Sequence, residues 1–303
     1  MLIIEKLKVT EEMSEAEAAI AAYLLEHGRD LKRYSIRDLA DSAYASPATV
    51  VRLCKKLGLS GFTELKSRLL DELAYFEQKQ DEVDANFPFS REDSLMRTAN
   101  RISQLHMQTV ADTMKLLRFG DLQKAIRLLQ QSRRVYVFSF GTSLNQAESF
   151  LENMLKIGRE VVIQSNLNYQ IYQAKCMSAR DLAIAISYSG ETEKILFIAQ
   201  ICHKNHVPLI AISSYGENTL TSYSDCKLTI STKEHLFDNM ANFSMHVSIN
   251  LLLDVLYSGL FLVDYDTNYR HKIDVTKQFE FNRHSQTDAL MRGDLWNPER
   301  KTC

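Results

Sequence analysis

Apolar positions change their period along the chain, and the change marks two kinds of structure. Through residue 80 they recur at helical spacing. Ala16, Ile20, Tyr23 and Leu24 share one face of Ser14–His27, which Gly28 stops. Ile36, Leu39, Ala40 and Ala43 follow Ser35 at i, i+3, i+4 and i+7, and Val50, Leu53, Cys54 and Leu57 line a further helix that ends at Gly58. That helix opens at Ser46-Pro47, where serine caps and proline takes the first position at no cost in hydrogen bonds. Phe62, Leu65, Leu69 and Leu73 face inward on the next one. Two short helices joined by a brief Tyr44-Ala45 connection make a helix-turn-helix, with Ala40 small where they cross.

The pattern weakens from Tyr75 to Asp93, with Pro88 as a break, and reads as a helix end and a linker. Ser90 with Asp93 has the form of a capping box opening a long helix (Leu95, Ile102, Leu105, Val110, Met114, Leu117), expected to pack on its own domain, the alternatives being a lever or a dimer contact. Gly120-Asp121 should close it and start Leu122–Gln131. Short apolar runs then appear at Arg134–Ser139, Glu160–Gln164, Leu182–Ser187, Pro208–Ser213 and Lys227–Ile230. Between them lie helical segments, such as Ala147, Phe150, Leu151, Met154 and Leu155 before Gly158, then Tyr169–Cys176, then Ile195–Cys202. Such alternation means a parallel sheet with helices on both faces. The expected fold class is an all-α helix-turn-helix domain followed by an α/β domain with a five-stranded parallel sheet of flavodoxin-like order. The expected boundaries are 1–80 for the helix-turn-helix domain, 81–120 for linker and connecting helix, 121–266 for the α/β domain and 267–303 for a helical tail. The tail loses its pattern after His284, and Trp296-Asn297-Pro298 has no legible role.

Composition narrows the classes of function. Of 303 residues, 45% are hydrophobic and 24% charged, with a net charge of −2, so no global field draws the chain to nucleic acid. A local patch does exist: Ser46–Arg68 carries Arg52, Lys55, Lys56, Lys66 and Arg68 against Glu64 as its only acid. The five cysteines are scattered, with no C-x-x-C and no zinc-ligand spacing, which fits a reducing compartment. The N-terminus turns acidic before a signal-peptide core builds up, and the apolar Leu251–Val263 contains Asp254 and is short for a bilayer span. A cytoplasmic protein without a membrane partner is expected.

The outward face of the helix after Ser46 shows Ala48, Thr49, Arg52, Lys55 and Lys56. Charge alone fits a solvated bundle face equally well; the helix pair, the Ser-Pro start and the patch together point to DNA. In the second half, two strand-to-helix turns look alike, F-S-F-G-T-S (Phe138–Ser143) and A-I-S-Y-S-G-E-T (Ala185–Thr192). Neither is a G-x-G-x-x-G nor a P-loop with its lysine, which leaves a dinucleotide or nucleoside triphosphate poorly supported. With strand order 2-1-3-4-5, both turns face the crevice at the switch point, and Ser143, Ser187, Ser189 and Thr192 converge there. Neutral hydroxyls and helix N-terminal amides suit a phosphate held without metal or other cofactor. The plainer alternative is that Ser189 caps its helix, with Glu191 and Glu193 answering the helix dipole.

The run Ser35–Lys66 resembles the N-terminal domain of RpiR-type bacterial transcriptional regulators, through T-V-V-R-L-C-K-K-L-G and the following G-F-T-E-L-K. That resemblance implies that Ser46, Thr49, Arg52, Lys55 and Lys56 face operator DNA. The paired turns, over roughly Leu128–Asp264, resemble the SIS (sugar isomerase) domain that such regulators carry. This second resemblance implies that Ser143, Ser187, Ser189 and Thr192 hold the phosphate of a phosphosugar within a site running through Gly141, Thr142, Ser143, Ser187, Tyr188, Ser189, Gly190, Glu191 and Thr192. Gly141 and Gly190 let the backbone come close. Tyr188 stands where SIS isomerases often have glutamine, and Glu191 is expected to reach sugar hydroxyls or serve the helix dipole. The reading is a regulator whose operator affinity responds to a phosphorylated sugar, working as a homodimer or higher homo-oligomer because most such readers need two half-sites. The alternative is a SIS-type sugar-phosphate isomerase with an accessory helical domain; a third reading is a structural protein. Isomerisation needs an acid and a base against the sugar. Glu148, Glu152, Glu191 and His235 are conceivable, but none sits in an identifying motif, and no catalytic residue is assigned. Lys233–Tyr265 reads chiefly as a packing helix, with Asp238, Asn239 and Asn242 near its start.

Overall fold

The computed structural model describes residues 2–10, 13–76 and 82–279; Trp296-Asn297-Pro298, Cys303 and the tail beyond Phe279 lie outside them. The chain forms two compact units, the first built on Met1–Asp84 and the second beginning at Ala85.

The first unit is helical: α1 (Ile3–Lys8), α2 (Glu15–His27), a 3-10 turn (Gly28–Arg33), α3 (Ile36–Ser42), α4 (Pro47–Lys56) and α5 (Phe62–Phe76). Local signals account for most of the boundaries. Ser14 and Glu17, and Ser35 and Asp38, make reciprocal capping boxes on α2 and α3, and Ser46 Oγ accepts the Thr49 N–H to open α4. Ile20, Leu24, Leu39, Val50, Leu53, Leu65 and Leu69 close the core. Helix α1 has no counterpart in the apolar periodicity, being only six residues long. Tertiary contacts make it: Ile3 and Leu7 are buried, and the Glu72 carboxylate of α5 accepts the Ile3 and Ile4 N–H groups at 2.8 and 3.0 Å. Burial pushes the Glu72 carboxyl up from its ordinary range, against those two hydrogen bonds.

The second unit opens with α6 (Leu95–Leu116) and α7 (Phe119–Gln131). Two expected boundaries move. Ser94 caps α6, while Ser90 and Asp93 form the turn before it, with the Ser90 N–H donating to Asp93 at 2.9 Å. Gly120 lies inside the first turn of α7, which starts after Arg118; the stop is the extended backbone at Leu117. Next come β1 (Val135–Phe138), α8 (Ser143–Lys156), β2 (Val161–Ile163), α9 (Leu167–Cys176), β3 (Leu182–Ile186) and α10 (Glu193–Lys204). The chain continues with β4 (Leu209–Ser213), α11 (Thr219–Ser222), β5 (Cys226–Thr229), α12 (Phe243–Val263) and α13 (Tyr265–Phe279). All strand pairs are parallel, in the order β2-β1-β3-β4-β5, and Phe138 of β1 stands opposite Ala185 of β3.

Alternation along the strands sorts the two faces. Val135, Val137, Leu182, Ile184, Ile186, Ile210 and Ile212 pack with α7, α8 and α12. Ala183, Ala185 and Ala211 face the other way and, being small, let α10 lie close with Ile195, Ile198, Ala199 and Cys202. The thiols of Cys202 and Cys226 are pushed up by burial, to about 12 and about 11, and neither carries reactive thiolate near neutrality. Helix α12 starts at Phe243 rather than at Lys233, where the packing helix was expected to begin, since residues 233–242 form bends and irregular chain; by length and composition it is long enough to cross a membrane. Here Met245, Ile249, Leu252, Leu253, Leu256 and Leu260 form one wall of the core.

One buried charge holds the N-terminal edge of the sheet. The Asp181 side chain is fully buried and accepts the Ser178 N–H, the Ser178 hydroxyl and the Arg133 guanidinium at 2.9, 3.0 and 3.1 Å. Burial alone would raise its pKa; the hydrogen bonds and the cation outweigh that and hold the carboxyl below its usual range. Asp181→Ala strands these donors and is expected to cost the second unit about 2 kcal/mol in urea melts. Because the folded-state pKa is depressed, this contribution is complete above the ordinary carboxylate range and is lost as pH falls through the depressed value. The two unfolding curves should therefore converge in acid.

Candidate functional sites: a recognition helix and a sheet-edge crevice

Helix α4 presents Ser46, Ala48, Arg52, Lys55 and Lys56 at the surface. Thr49 departs from the expectation. It is 5% exposed, bonded through Oγ1 to Ser46 Oγ at 2.9 Å, and accepts an Arg52 guanidinium N–H at 3.3 Å. Its position in the capping turn places it under the helix start, so it orients Arg52 rather than facing outward. Lys56 is also committed, paired with the buried Glu17 of α2 at 3.0 Å. Its ammonium and the Ser14 N–H hold the Glu17 carboxyl below its usual range, the Ser14 hydrogen bond contributing most. Beyond α4, Lys66 donates to the Tyr34 carbonyl at 3.0 Å and Arg68 pairs with Glu64 at 2.9 Å. The patch is thus narrower than the charge count suggested, centred on Arg52 and Lys55.

In the second unit, β1 and β3 are neighbours, and the turns that follow them leave the same edge of the sheet. Ser139 Oγ donates to the Ile186 carbonyl at 3.3 Å, tying one turn to the other. After β3, Ser187 is buried; its Oγ lies 2.9 Å from Thr192 Oγ1 and accepts the Gly190 N–H at 3.2 Å. Ser189 Oγ accepts the Glu191 N–H at 3.1 Å, which leaves its own O–H to donate. Gly190 at φ 70° and Gly141 at φ 65° hold left-handed conformations that a side chain would strain. Ser189 does not cap α10. Thr192 is the N-cap residue, and neither it nor Thr142, the N-cap of α8, makes a side-chain cap. Thr192 Oγ1 is turned to Ser187, and Thr142 Oγ1 meets His246 Nε2 of α12 at 2.9 Å. Both helices that begin at this edge therefore lack side-chain caps, though in α8 the Leu144 and Asn145 N–H groups turn back to the Gly141 and Thr142 carbonyls; a helix start without a side-chain cap suits an anion. Ser143 is the first residue of α8 and is buried.

Two expected ligand residues are engaged elsewhere. The Tyr188 hydroxyl donates to the Glu234 carbonyl at 2.7 Å and accepts the Glu234 N–H at 3.1 Å, fixing the segment after β5. The Glu191 carboxylate accepts the Thr219 N–H at 2.8 Å, so it serves the start of α11 and not its own helix. Glu148 is exposed on α8, Glu152 pairs with Lys156 at 2.6 Å, and the His235 N–H donates to Asn86 Oδ1 at 2.6 Å. Asn239 donates to the His235 carbonyl at 2.5 Å, Asp238 is exposed and Asn242 precedes α12 without capping it. Among the described residues, no hydrogen bond or ion pair joins any two of Glu148, Glu152, Glu191 and His235.

Sequence reasoning missed Glu234 and His246. The Glu234 carboxylate is buried and accepts the Ser244 and Met245 N–H groups at 2.5 and 3.0 Å, taking the capping role at α12. Burial raises its pKa and these hydrogen bonds act in opposition. The His246 pKa is lowered by burial, which favours the neutral ring beside Thr142. His246 meets Thr142 from 104 residues away and Glu234 caps α12 from beyond its first turn, outside the reach of the N-cap spacing rules.

Comparison with known proteins agrees with this division. Residues 1–75 match the helix-turn-helix domain of the rpiR family, and residues 128–258 match the SIS domain. An uncharacterized HTH-type transcriptional regulator of Caldanaerobacter subterraneus is 27% identical over 255 residues, covering 83% of this chain and 88% of that protein. The uncharacterized HTH-type transcriptional regulator YbbH of Bacillus subtilis is 24% identical over 279 residues, covering 91% and 95%. Among solved structures, the Vibrio vulnificus NanR protein complexed with ManNAc-6P matches with a TM-score of 0.60 at 22% identity, covering 93% of this chain and 99% of that one. The sugar isomerase domain of an RpiR transcription factor from Sphaerobacter thermophilus matches with a TM-score of 0.52 at 12% identity, covering 59% and 98%. With residues 1–75 matching the rpiR-family helix-turn-helix domain and residues 128–258 the SIS domain, the chain has the domain composition of the RpiR-type transcriptional regulators.

Proposed function

We propose that this regulator binds operator DNA through α4 and that a phosphorylated sugar, held at the β1/β3 edge of its SIS unit, modulates that binding. The observation that carries the reading is the pair of helix starts, α8 and α10, left without side-chain caps behind hydroxyl-bearing turns on adjacent strands. Ser143, Ser189 and the first-turn amides are the assigned phosphate donors; Ser187 and Thr192 shape the turn, and Gly141 and Gly190 give it room. The bound ManNAc-6P in NanR supports the same ligand class for this chain. No metal is required, since amides and hydroxyls alone can carry a dianion at a helix start. Two half-sites per operator favour a homo-oligomer in the cytoplasm. Against isomerase chemistry stand the commitments of Glu191 to the Thr219 N–H and of Glu152 to Lys156.

The test is a thermal-shift series on the full chain with hexose, pentose and amino-sugar phosphates, using inorganic phosphate and the unphosphorylated sugars as controls. A cognate ligand at a hundred times its Kd should stabilise the chain by about 2.7 kcal/mol and should alter operator binding in the same concentration range. Absence of any shift across the series would overturn the ligand assignment, and turnover of the hit by the pure chain would restore the isomerase reading.

A further inference from the structure

Helix α3 ends in a Schellman motif: the Ala45 N–H donates to the Ala40 carbonyl at 2.8 Å and the Tyr44 N–H to the Asp41 carbonyl at 3.2 Å. The residue between the cap and the closing amide must adopt the left-handed conformation, and glycine is its usual occupant. Here it is Tyr44, at φ 51°. Of the described residues, the other non-glycine with positive φ is His206, a type that tolerates this region far better than a bulky aromatic. Nothing in the fold repays the choice, because the Tyr44 side chain is 100% exposed. The strained aromatic stands two residues before Ser46, the N-cap of α4. In helix-turn-helix docking that end of the recognition helix meets the groove. A rigid hydrogen-bonded turn thus holds a phenol out beside the exposed Ser46, Ala48 and Arg52.

We infer that Tyr44 is a DNA contact, its hydroxyl donating to a backbone phosphate beside the base edges approached by α4. Tyrosine is among the side chains that make such contacts, and they fix register without reading sequence. The inference rests on the DNA-binding reading of α4 but not on the sugar site.

The experiment uses the full chain and a duplex recovered by the wild type from a randomised pool, with an unselected duplex of equal length as comparison. Tyr44→Gly relieves the left-handed strain and is expected to raise the first thermal transition by about 3 °C, while weakening both duplexes by about tenfold. Tyr44→Phe should keep the wild-type transition and lose about as much affinity on both. Wild-type affinity in both variants would overturn the inference. Loss in the glycine variant with full retention in the phenylalanine variant would overturn the phosphate assignment. Loss of DNA binding in Arg52→Ala together with wild-type behaviour at Tyr44 would show that the α4 reading stands and this inference alone fails.

Discussion

Arg52→Ala is expected to weaken operator binding by about 10- to 100-fold, within the range for one arginine contact to a base edge or phosphate. Arg52 is exposed on α4, and its guanidinium is aimed by Thr49, itself locked into the Ser46 cap. The slope of log affinity against log salt should fall by about one if the contact is to phosphate, and stay unchanged if it is to a base. The thermal shift given by a sugar phosphate should be unaffected, since the substitution leaves the second unit intact. Unchanged operator affinity with an unchanged salt slope would remove α4 from the DNA interface and favour a bundle that serves assembly alone.

Ser189→Ala should leave operator binding without effector at its wild-type value and abolish the response to the sugar. A hydrogen bond to a charged phosphate contributes about 1.5–3 kcal/mol, so affinity for the ligand should drop by about 10- to 150-fold. Ser189 is the cleaner probe because its Oγ holds only the neighbouring Glu191 N–H, whereas Ser187 ties both Thr192 and Gly190. Isothermal titration with the hit from the thermal series measures the loss, and operator titration with and without that compound measures the response. An effector can shift DNA affinity only by its differential affinity for two conformations, typically about 1–3 kcal/mol. A full response in Ser189→Ala would move the phosphate away from this turn.

What the sequence revealed about the fold follows from where each signal lives. Strands β1 to β5 stand out because each is a short apolar run bounded by turn residues, and Ser46-Pro47 declares the start of α4 outright. Helix α1 was hidden because six residues cannot nucleate alone; Glu72, far along the chain, caps it. Ser90 and Asp93 have the spacing of a capping box, yet the helix waits for Ser94, since spacing cannot distinguish a cap from the turn before it. At the candidate sites, residue types were readable and their commitments were not. Thr49 sits at helical phase with Ala48 and Arg52 but folds back under its cap, and Lys56 is claimed by Glu17 from another helix. Tyr188 and Glu191 lie within the expected turn while their polar atoms answer Glu234 and Thr219.

Asn86 stands near the start of the second unit and is nearly buried. Its side chain donates to the Lys233 carbonyl at 3.1 Å and accepts the His235 N–H, while its own carbonyl accepts the Met240 N–H at 2.9 Å. Glu234, between the first two of these partners, is the residue whose backbone grips the Tyr188 hydroxyl. Three hydrogen bonds therefore fasten the strip of chain at Asn86 to the Lys233–Met240 strip behind the serine turn. Pulling the two strips apart would cost those three bonds together.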